Sequence, residues 1–235
     1  GSTITPTGYS FDQTAGQSIV QYSGNNTSGA KVAHGLGAAP GMIIVKTTNT
    51  PNSWNIYHKG VDATAPEDYY MTFATDARTD DSSRWNDTAP DSVNFTLGNA
   101  AAVNGSSNTM IAYCFAEKSG YSKMGTYEGN GNADGQFIYT GFRPACIIIK
   151  ISSGSGTGNW ILVDTKRNGY NYSNPFLQPN LSSAEDASPT MDIVSNGFKL
   201  RSTEFPTNAD GKTMIYAAFA EFPTVSSNSK AGVAR

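Results

Sequence analysis

One segment of the chain occurs twice. Residues 108–118 read NTMIAYCFAEK and residues 212–222 read KTMIYAAFAEF, so six of the nine residues from Thr109 to Glu117 recur at an offset of 104. Self-similarity at a fixed period indicates that one structural unit has been repeated. This feature therefore constrains the fold more than the composition does.

The repeat extends along almost the whole chain, in the same order in both copies. The other matching segments are IVQYSGN (19–25) with MGTYEGN (124–130), HGLGAAPGMIIVK (34–46) with YTGFRPACIIIK (139–150), NSWNIYHKG (52–60) with GNWILVDTKRNG (158–169), and VNFTLG (93–98) with NGFKLR (196–201). Their offset stays between 103 and 106. We predict an N-terminal lead at 1–18, a first β repeat at 19–123, a second β repeat at 124–222 and a polar tail at 223–235.

Each repeat carries the signals of short strands joined by turns. The runs at 41–46 and 145–150 are rich in β-branched residues and follow a glycine or proline. The segment at 108–118 is apolar on both faces, which predicts a central strand covered on both sides. The segments VNGSSN (103–108) and TNADGK (207–212) have the composition of tight hairpin turns. No convincing long amphipathic helix is found, so the predicted class is all-β, either two sandwich-like repeats or one sandwich with pseudo-twofold symmetry.

The two copies serve as controls for each other. Residues present in both copies are most simply explained by the fold, whereas residues present in one copy are candidates for function. The shared aromatic residues are predicted to lie in the core and the shared charges at strand ends. These pairs are Trp54 with Trp160, Phe95 with Phe198, Phe115 with Phe219, Glu117 with Glu221, and Lys46 with Lys150.

The charge argues against a surface for nucleic acid or anionic lipid. The chain has 16 basic and 19 acidic residues with a net charge of −3, and its basic residues are scattered. Both kinds of surface need clustered Lys and Arg. No apolar run approaches the length of a spanning helix, so we expect no membrane insertion. Cys114 and Cys146 are too few for a disulfide framework, which leaves buried thiols or one bridge between the halves.

The ordered motifs resemble a known family. They are HGLG with PGMIIVK, NSWNIYH (52–58), WNDTAP (85–90), TMIAYCFAE, YSKMGTYEGNG (121–131) and GFRPA (141–145). This set is similar to a domain of unknown function that recurs, often in tandem, in tail-fibre-like and other structural proteins of marine bacteriophages. The resemblance implies a β-rich virion module used in attachment or assembly, without catalytic residues. The second copy has YTGFRP in place of HGLGAAP, so no role of His34 is common to both copies.

The residues that could support catalysis or bind zinc are few. His34 and His58 are the only histidines, and no serine stands in a nucleophile elbow. The HGLG motif resembles the oxyanion-hole loops of esterases, but those belong to an α/β scaffold, so His34 is predicted to be a turn residue that caps a strand. Two histidines and two cysteines at these spacings match no zinc site. We therefore predict no enzymatic activity, no metal and no cofactor.

Carboxylates concentrate in the stretch 62–87, which differs most between the copies. They are Asp62, Glu67, Asp68, Asp76, Asp80, Asp81 and Asp87, whereas the counterpart at 170–192 holds Glu185, Asp186 and Asp192. A solvated loop is the simplest interpretation. Oxygen ligands for Ca²⁺ and a carboxylate pair for glycoside hydrolysis are the alternatives.

Aromatic residues in the same divergent stretches are the candidates for binding. The segments EDYYMTF (67–73), DSSRWND (81–87) and NGYNYSNPF (168–176) place Tyr and Trp among polar residues. Tyr and Trp anchor interfaces because one end of the side chain is apolar and the other polar. The predicted binding residues are Tyr69, Tyr70, Arg84, Trp85, Asp87, Tyr170 and Tyr172. WNDTAP belongs to the common pattern of the family, which favours a structural role for Trp85.

The sequence and the resemblance together predict a bacteriophage structural protein: a tail fibre, adhesin or decoration module. It would lie on the virion surface after synthesis in the host cytoplasm. The expected partners are other virion proteins, a host surface glycan or receptor, and further copies of the chain, but not nucleic acid. A lectin-like carbohydrate-binding module is the alternative, and a polysaccharide depolymerase is a third class.

Overall fold

The computed structural model describes residues 3–153, 158–167, 171, 175–188, 190–203 and 205–221. Strands contain 42% of the residues and helices 7%, and every pairing between the described strands is antiparallel. The all-β class predicted from the sequence is therefore confirmed. The chain divides into two units: Gly1–Phe73 with Arg78–Glu117 is unit 1, and Ala74–Ala77 with Lys118–Arg235 is unit 2.

Unit 1 contains nine described strands, two helices of one turn each and a short 3-10 helix at Pro66–Asp68. The helices are α1 (Ser82–Trp85) and α2 (Ala101–Asn104). The strands are β1 (Gly8–Asp12), β2 (Gln17–Ser23), β3 (Ala30–Ala33), β4 (Met42–Thr47), β5 (Asn55–His58), β6 (Tyr69–Tyr70), β7 (Thr79–Asp80), β8 (Asn94–Leu97) and β9 (Thr109–Phe115).

The main sheet of unit 1 has the order β1-β2-β9-β4-β5, and the pairs β3-β8 and β6-β7 are separate. Its core combines residues of the main sheet with residues of the β3-β8 pair, such as Val20, Val32 and Phe95. β9 lies in the middle of its sheet, which confirms the predicted central strand. One face of β9 is fully buried, but Tyr113 on the other face is only half-buried, so the predicted cover on both sides is incomplete.

Unit 2 contains eight described strands and one helical turn, α3 (Phe205–Asn208). The strands are β10 (Ser122–Glu128), β11 (Phe137–Tyr139), β12 (Pro144–Ser153), β13 (Ile161–Asp164), β14 (Phe176–Leu177), β15 (Met191–Val194), β16 (Gly197–Leu200) and β17 (Thr213–Ala220). The main sheet has the order β10-β17-β12-β13-β14, and a second sheet has the order β11-β16-β15. Unit 2 has its own core, which includes Ile147, Phe198 and Met214.

The segments that match in sequence occupy matching places in the two main sheets. The order β2-β9-β4-β5 in unit 1 parallels the order β10-β17-β12-β13 in unit 2. Ile43 of β4 pairs with Cys114 of β9, and Ile147 of β12 pairs with Ala218 of β17, both at an offset of 104. Both cysteines are free thiols.

A buried asparagine ends a helical turn in each unit. Asn104 accepts a hydrogen bond from the Asn25 N–H at 2.9 Å, and its Nδ2 donates to the carbonyls of Thr27 and Gly98. Both Asn104 and its counterpart Asn208 are completely buried. The hairpin turn predicted around Asn104 is therefore wrong: the asparagine ends α2, and its side chain joins the segment 25–27 and Gly98 to this helical turn.

His34 holds the turn that follows β3. Its Nδ1 accepts from the Leu36 N–H at 3.2 Å, so its Nε2 carries the proton and donates to the Asp91 carbonyl at 3.0 Å. Burial lowers the pKa of His34, which favours this neutral form. Its position in a turn at the end of a strand is the one expected from the sequence.

Thr140 takes the corresponding position in unit 2. Val32 pairs with Phe95 in unit 1 in the same way as Ile138 pairs with Phe198 in unit 2. The residue that corresponds to His34 is therefore Thr140, not Tyr139. The Thr140 hydroxyl donates to the carbonyl of Phe142, which is buried like Leu36. The sequence match at 139–150 is therefore displaced by one residue at its start, and a hydroxyl replaces the imidazole in the turn.

The core predictions for the shared residues hold in part. Trp160, Phe95 and Phe198 are buried, as predicted. Trp54 is 36% exposed and lies against Tyr113 on the outer face of the main sheet, so its assignment to the core is wrong. Lys150 is completely buried within β12, so the prediction of a charge at a strand end is also wrong.

Lys150 binds a short segment that lies within the predicted first repeat but belongs to unit 2. Its Nζ donates to the Thr75 carbonyl at 3.0 Å, and the same carbonyl accepts from the Gly158 N–H. Burial lowers the pKa of Lys150 to about 8, although the Asp76 carboxylate acts in the opposite direction.

We expect a Lys150→Met variant to show that this lysine destabilises the fold at neutral pH. The folded-state pKa lies below the ordinary value of 10.5, so the protonated form is penalised in the fold below pH 8 and the penalty disappears as the pH rises to 10.5. Each pKa unit corresponds to about 1.4 kcal/mol, so the stability of the wild type relative to the variant should rise by up to about 3 kcal/mol between pH 7 and pH 10.5.

Urea denaturation of both proteins across this pH range measures the effect. All other titrating groups are shared, so their contributions largely cancel in the difference between the two proteins. A stability difference that stays constant from pH 7 to pH 10.5 would contradict the assignment.

Candidate functional site

The structure brings several of the predicted binding residues together beside α1. Tyr69 and Tyr70 form β6, which pairs with β7. The guanidinium carbon of Arg78 lies 4.3 Å from the centre of the Tyr69 ring, and that of Arg84 lies 4.5 Å from the centre of the Tyr70 ring. One face of each ring is therefore already covered by a cation within unit 1.

The arginines of this surface are held by carboxylates. Arg78 forms an ion pair with Asp62 at 2.7 Å, and Arg84 lies 3.3 Å from Asp81. The Asp81 side chain also accepts from the Ser83 N–H and so caps the first turn of α1. These bonds indicate that Arg84 has a local structural role in addition to the predicted binding role.

Asp87 follows α1 in a left-handed backbone conformation, with φ of 44°, and its side chain is exposed. Desolvation and then the carboxylates of Asp68, Asp80, Asp81 and Glu67 raise the pKa of Asp87. Among the described residues, no cluster of three or more His, Cys, Asp and Glu side chains could hold a metal ion. The calcium site considered from the sequence has no geometric support in this part of the chain.

Trp85 does not lie on this surface. Its side chain is 2% exposed and packs edge-to-face against Tyr57, with ring centres 6.2 Å apart. The prediction of an exposed Trp85 is wrong, because the single turn of α1 directs the indole into the core of unit 1. Tyr170 and Tyr172 lie outside the described residues, so the remaining predicted set is Tyr69, Tyr70, Arg84 and Asp87.

Both histidines are buried and make hydrogen bonds within unit 1. His58 Nδ1 accepts from the Gly60 N–H at 3.0 Å, in the same local pattern as His34 and Leu36. A general base must reach the substrate proton that it abstracts. Neither imidazole is arranged for that role, since backbone groups occupy both nitrogens of His34 and the Nδ1 of His58.

Two exposed aromatic residues of β1 line a cleft that the sequence reasoning missed. Tyr9 and Phe11 are 69% and 47% exposed, and their rings stack with centres 5.8 Å apart. They border a cleft of about 250 Å³, together with Pro6 and the turn at His34. An exposed aromatic pair of this kind is typical of an interaction surface.

A larger groove lies between β10 and β11 in unit 2. Its volume is about 560 Å³, and its wall carries Phe137 and Tyr139, which are 46% and 58% exposed. The Lys123 ammonium lies 5.6 Å from the centre of the Tyr139 ring. The sequence carries a signal for this wall, since two aromatic residues alternate around the buried Ile138 and the first copy has Lys31 and Ala33 at the corresponding positions.

The comparison with family models gives one match, to a domain of unknown function (DUF7483), over residues 2–223. The chain belongs to this family. The match is continuous and spans both units, so one family domain comprises both. No curated protein and no solved structure matches the chain. In the described part of the chain, no helix is long and apolar enough to cross a membrane.

Proposed function

We propose that this member of the DUF7483 family is a structural protein of a bacteriophage particle that acts in attachment or assembly. The observation that carries the proposal is the exposure of paired aromatic side chains on short strands, Tyr9 with Phe11 and Phe137 with Tyr139. Most large apolar side chains of the described chain are buried, so an exposed pair on a rigid strand is suited to contact with another macromolecule. The phage context rests on the resemblance of the ordered motifs.

We further propose that the two units derive from one duplicated β-sandwich-like module. The equivalent strand orders, the 104-residue offset of paired residues and the buried Asn104 and Asn208 support this origin. In each unit, residues of the main sheet and of a smaller sheet share one core, which is the arrangement of a sandwich. The separate cores favour two modules over one continuous sandwich.

Immunogold labelling of purified phage particles, with antibodies against the recombinant chain, tests the proposal. We expect gold at a defined position on the particle surface. Label confined to the lysate, with none on particles, would contradict a virion role. Binding of the recombinant chain to host cells would favour an adhesin or fibre, and binding only to purified particles would favour a decoration module.

Carbohydrate recognition is the second candidate function, and the groove of unit 2 is the observation that favours it. The groove combines two exposed aromatic rings with a cation, a carboxylate and an amide. Pockets that bind small polar ligands combine apolar walls with a few placed polar groups in this way.

A further inference from the structure

We propose that the groove between β10 and β11 binds a saccharide, with one pyranose ring held against the Phe137–Tyr139 wall. The proposal deepens the carbohydrate-recognition candidate and rests on it. It identifies the site, the ligand class and the side chains that make the contacts.

The wall of the groove presents its rings to solvent on one side of a strand. Phe137 and Tyr139 are separated by Ile138, whose side chain points into the core of unit 2. Alternate residues of a strand face the same side, so both rings line the groove. The C–H face of a pyranose carries partial positive charge, whereas an aromatic face carries negative charge, so the two surfaces attract each other.

Polar groups stand at both ends of the same groove. The Lys123 ammonium lies beside the Tyr139 ring, and Glu128 lies at the other end of β10. Gln136 Nε2 donates to the Glu128 carbonyl and joins β10 to the start of β11. Donors and acceptors around an aromatic wall match the hydroxyl groups around the edge of a sugar ring.

The floor of the groove depends on a residue without a side chain. A Cβ at Gly125 would lie 2.5 Å from the ring of Tyr216, which is buried on the neighbouring strand β17. Glycine therefore lets the Tyr216 ring lie against β10 and keeps the floor low beside the aromatic wall.

The chemistry of the groove favours a saccharide over other ligands. One lysine and one carboxylate give no net charge to attract a polyanion such as nucleic acid. A lipid tail would require a more apolar lining than one that includes Lys123, Glu128 and Gln136. A volume of about 560 Å³ lies within the range of small-ligand sites.

The test is a glycan array with the full chain, followed by calorimetry with the saccharides that bind and, whatever the array result, with cellohexaose and a hexamer of galacturonic acid as neutral and acidic probes. We expect Phe137→Ala and Tyr139→Ala to weaken binding about tenfold each. Both side chains are exposed, so both variants should fold, which thermal unfolding verifies. Leu181→Ala removes a similarly exposed apolar side chain from unit 2, outside the groove, and is the matched control, with unchanged affinity.

The possible outcomes distinguish the proposed groove site from carbohydrate recognition in general. Binding that is weakened by the two groove variants and not by Leu181→Ala supports the site. Binding that is insensitive to both groove variants overturns this site and leaves carbohydrate recognition standing. No saccharide binding on the array or by calorimetry overturns both the site and the carbohydrate candidate, and it leaves the immunogold test of the virion role unaffected.

Discussion

An Asn104→Ala variant is expected to lose about 3 kcal/mol of the stability of unit 1, since a buried partner left unsatisfied costs about 1–3 kcal/mol and each further hydrogen bond contributes about 1 kcal/mol. The amide of Asn104 makes bonds of 2.9, 3.0 and 2.8 Å with the backbones of Asn25, Thr27 and Gly98. Alanine would leave one N–H and two carbonyls without these partners. The Asn104 side chain and its bond to the Gly98 carbonyl are buried, so water cannot replace that bond without opening the fold, whereas Asn25 and Thr27 lie at the exposed edge of the site.

The same result is expected for Asn208→Ala in unit 2. Asn208 accepts from the Asn130 N–H at 3.0 Å and donates to the carbonyls of Asn132 and Ser202, each at 2.8 Å. The bonding pattern is that of Asn104. Losses of stability of comparable size in both variants would show that the same buried-asparagine hydrogen bonds stabilise the two units.

Urea denaturation and hydrogen exchange by mass spectrometry measure the two effects. Exchange should increase in peptides of unit 1 for Asn104→Ala and in peptides of unit 2 for Asn208→Ala. Asn108→Ala is the matched control, because its side chain is only half-buried and makes one bond of 3.2 Å to the Ala101 carbonyl. A loss at Asn104 no larger than the loss at Asn108 would show that the buried amide bonds add little.

The strand pattern was predictable because its cause is local. Alternating burial in β2 and β9 follows from a side-chain period of two, which the sequence displays directly. The central position of β9 followed from apolar residues on both faces. The one-turn helices α1 and α2 were not predictable in this way, since four residues are too few to show a helical period.

The positions of individual aromatic side chains depended on tertiary contacts. Trp54 and Trp160 occupy matching places in the sequence, yet one is 36% exposed and the other buried. Trp85 was grouped with polar neighbours, but the turn of α1 points it into the core. Burial of a side chain depends on what packs against its strand or turn, and a single segment does not contain that information.

The groove of unit 2 was missed because its walls come from separated parts of the sequence. Lys123 and Tyr139 lie 16 positions apart in the sequence, and Tyr216 is far from both. The comparison of the two copies directed attention to stretches 62–87 and 170–192, where the copies differ most. The side chains at 137 and 139 differ from those at 31 and 33 just as clearly, but only the structure shows that they face solvent.

Replacing Gly24 with alanine is the other change expected to have a large effect, with a loss of about 3 kcal/mol or more, at the upper end of the range for overpacking. A Cβ at Gly24 would lie 2.3 Å from the Gly105 carbonyl oxygen and 2.6 Å from the Asn104 carbonyl carbon. The atoms that it meets belong to the backbone, so a rotamer change cannot relieve the contact.

The backbone at Gly24 cannot move away from the turn at 104–108 without a further loss of stability. The Gly24 N–H donates to the Asn108 carbonyl at 2.9 Å, and the Gly24 carbonyl accepts from the Ser107 N–H at 3.1 Å. A shift that made room for a methyl group would stretch both bonds and would disturb the Asn104 amide beside them. Steric and hydrogen-bonding costs therefore act together at this position.

Gly129→Ala is the equivalent change in unit 2, where a Cβ would lie 2.1 Å from the Ala209 carbonyl oxygen. Gly8→Ala is the matched control, because its Cβ would meet only the flexible end of Gln21 at 3.3 Å. Urea denaturation should give large losses for Gly24→Ala and Gly129→Ala and almost none for Gly8→Ala. If Gly24→Ala or Gly129→Ala does not fold, its soluble yield should be lower than that of Gly8→Ala, which ranks the variants in the same order. Wild-type stability of both Gly24→Ala and Gly129→Ala would contradict the close backbone contacts at these two glycines.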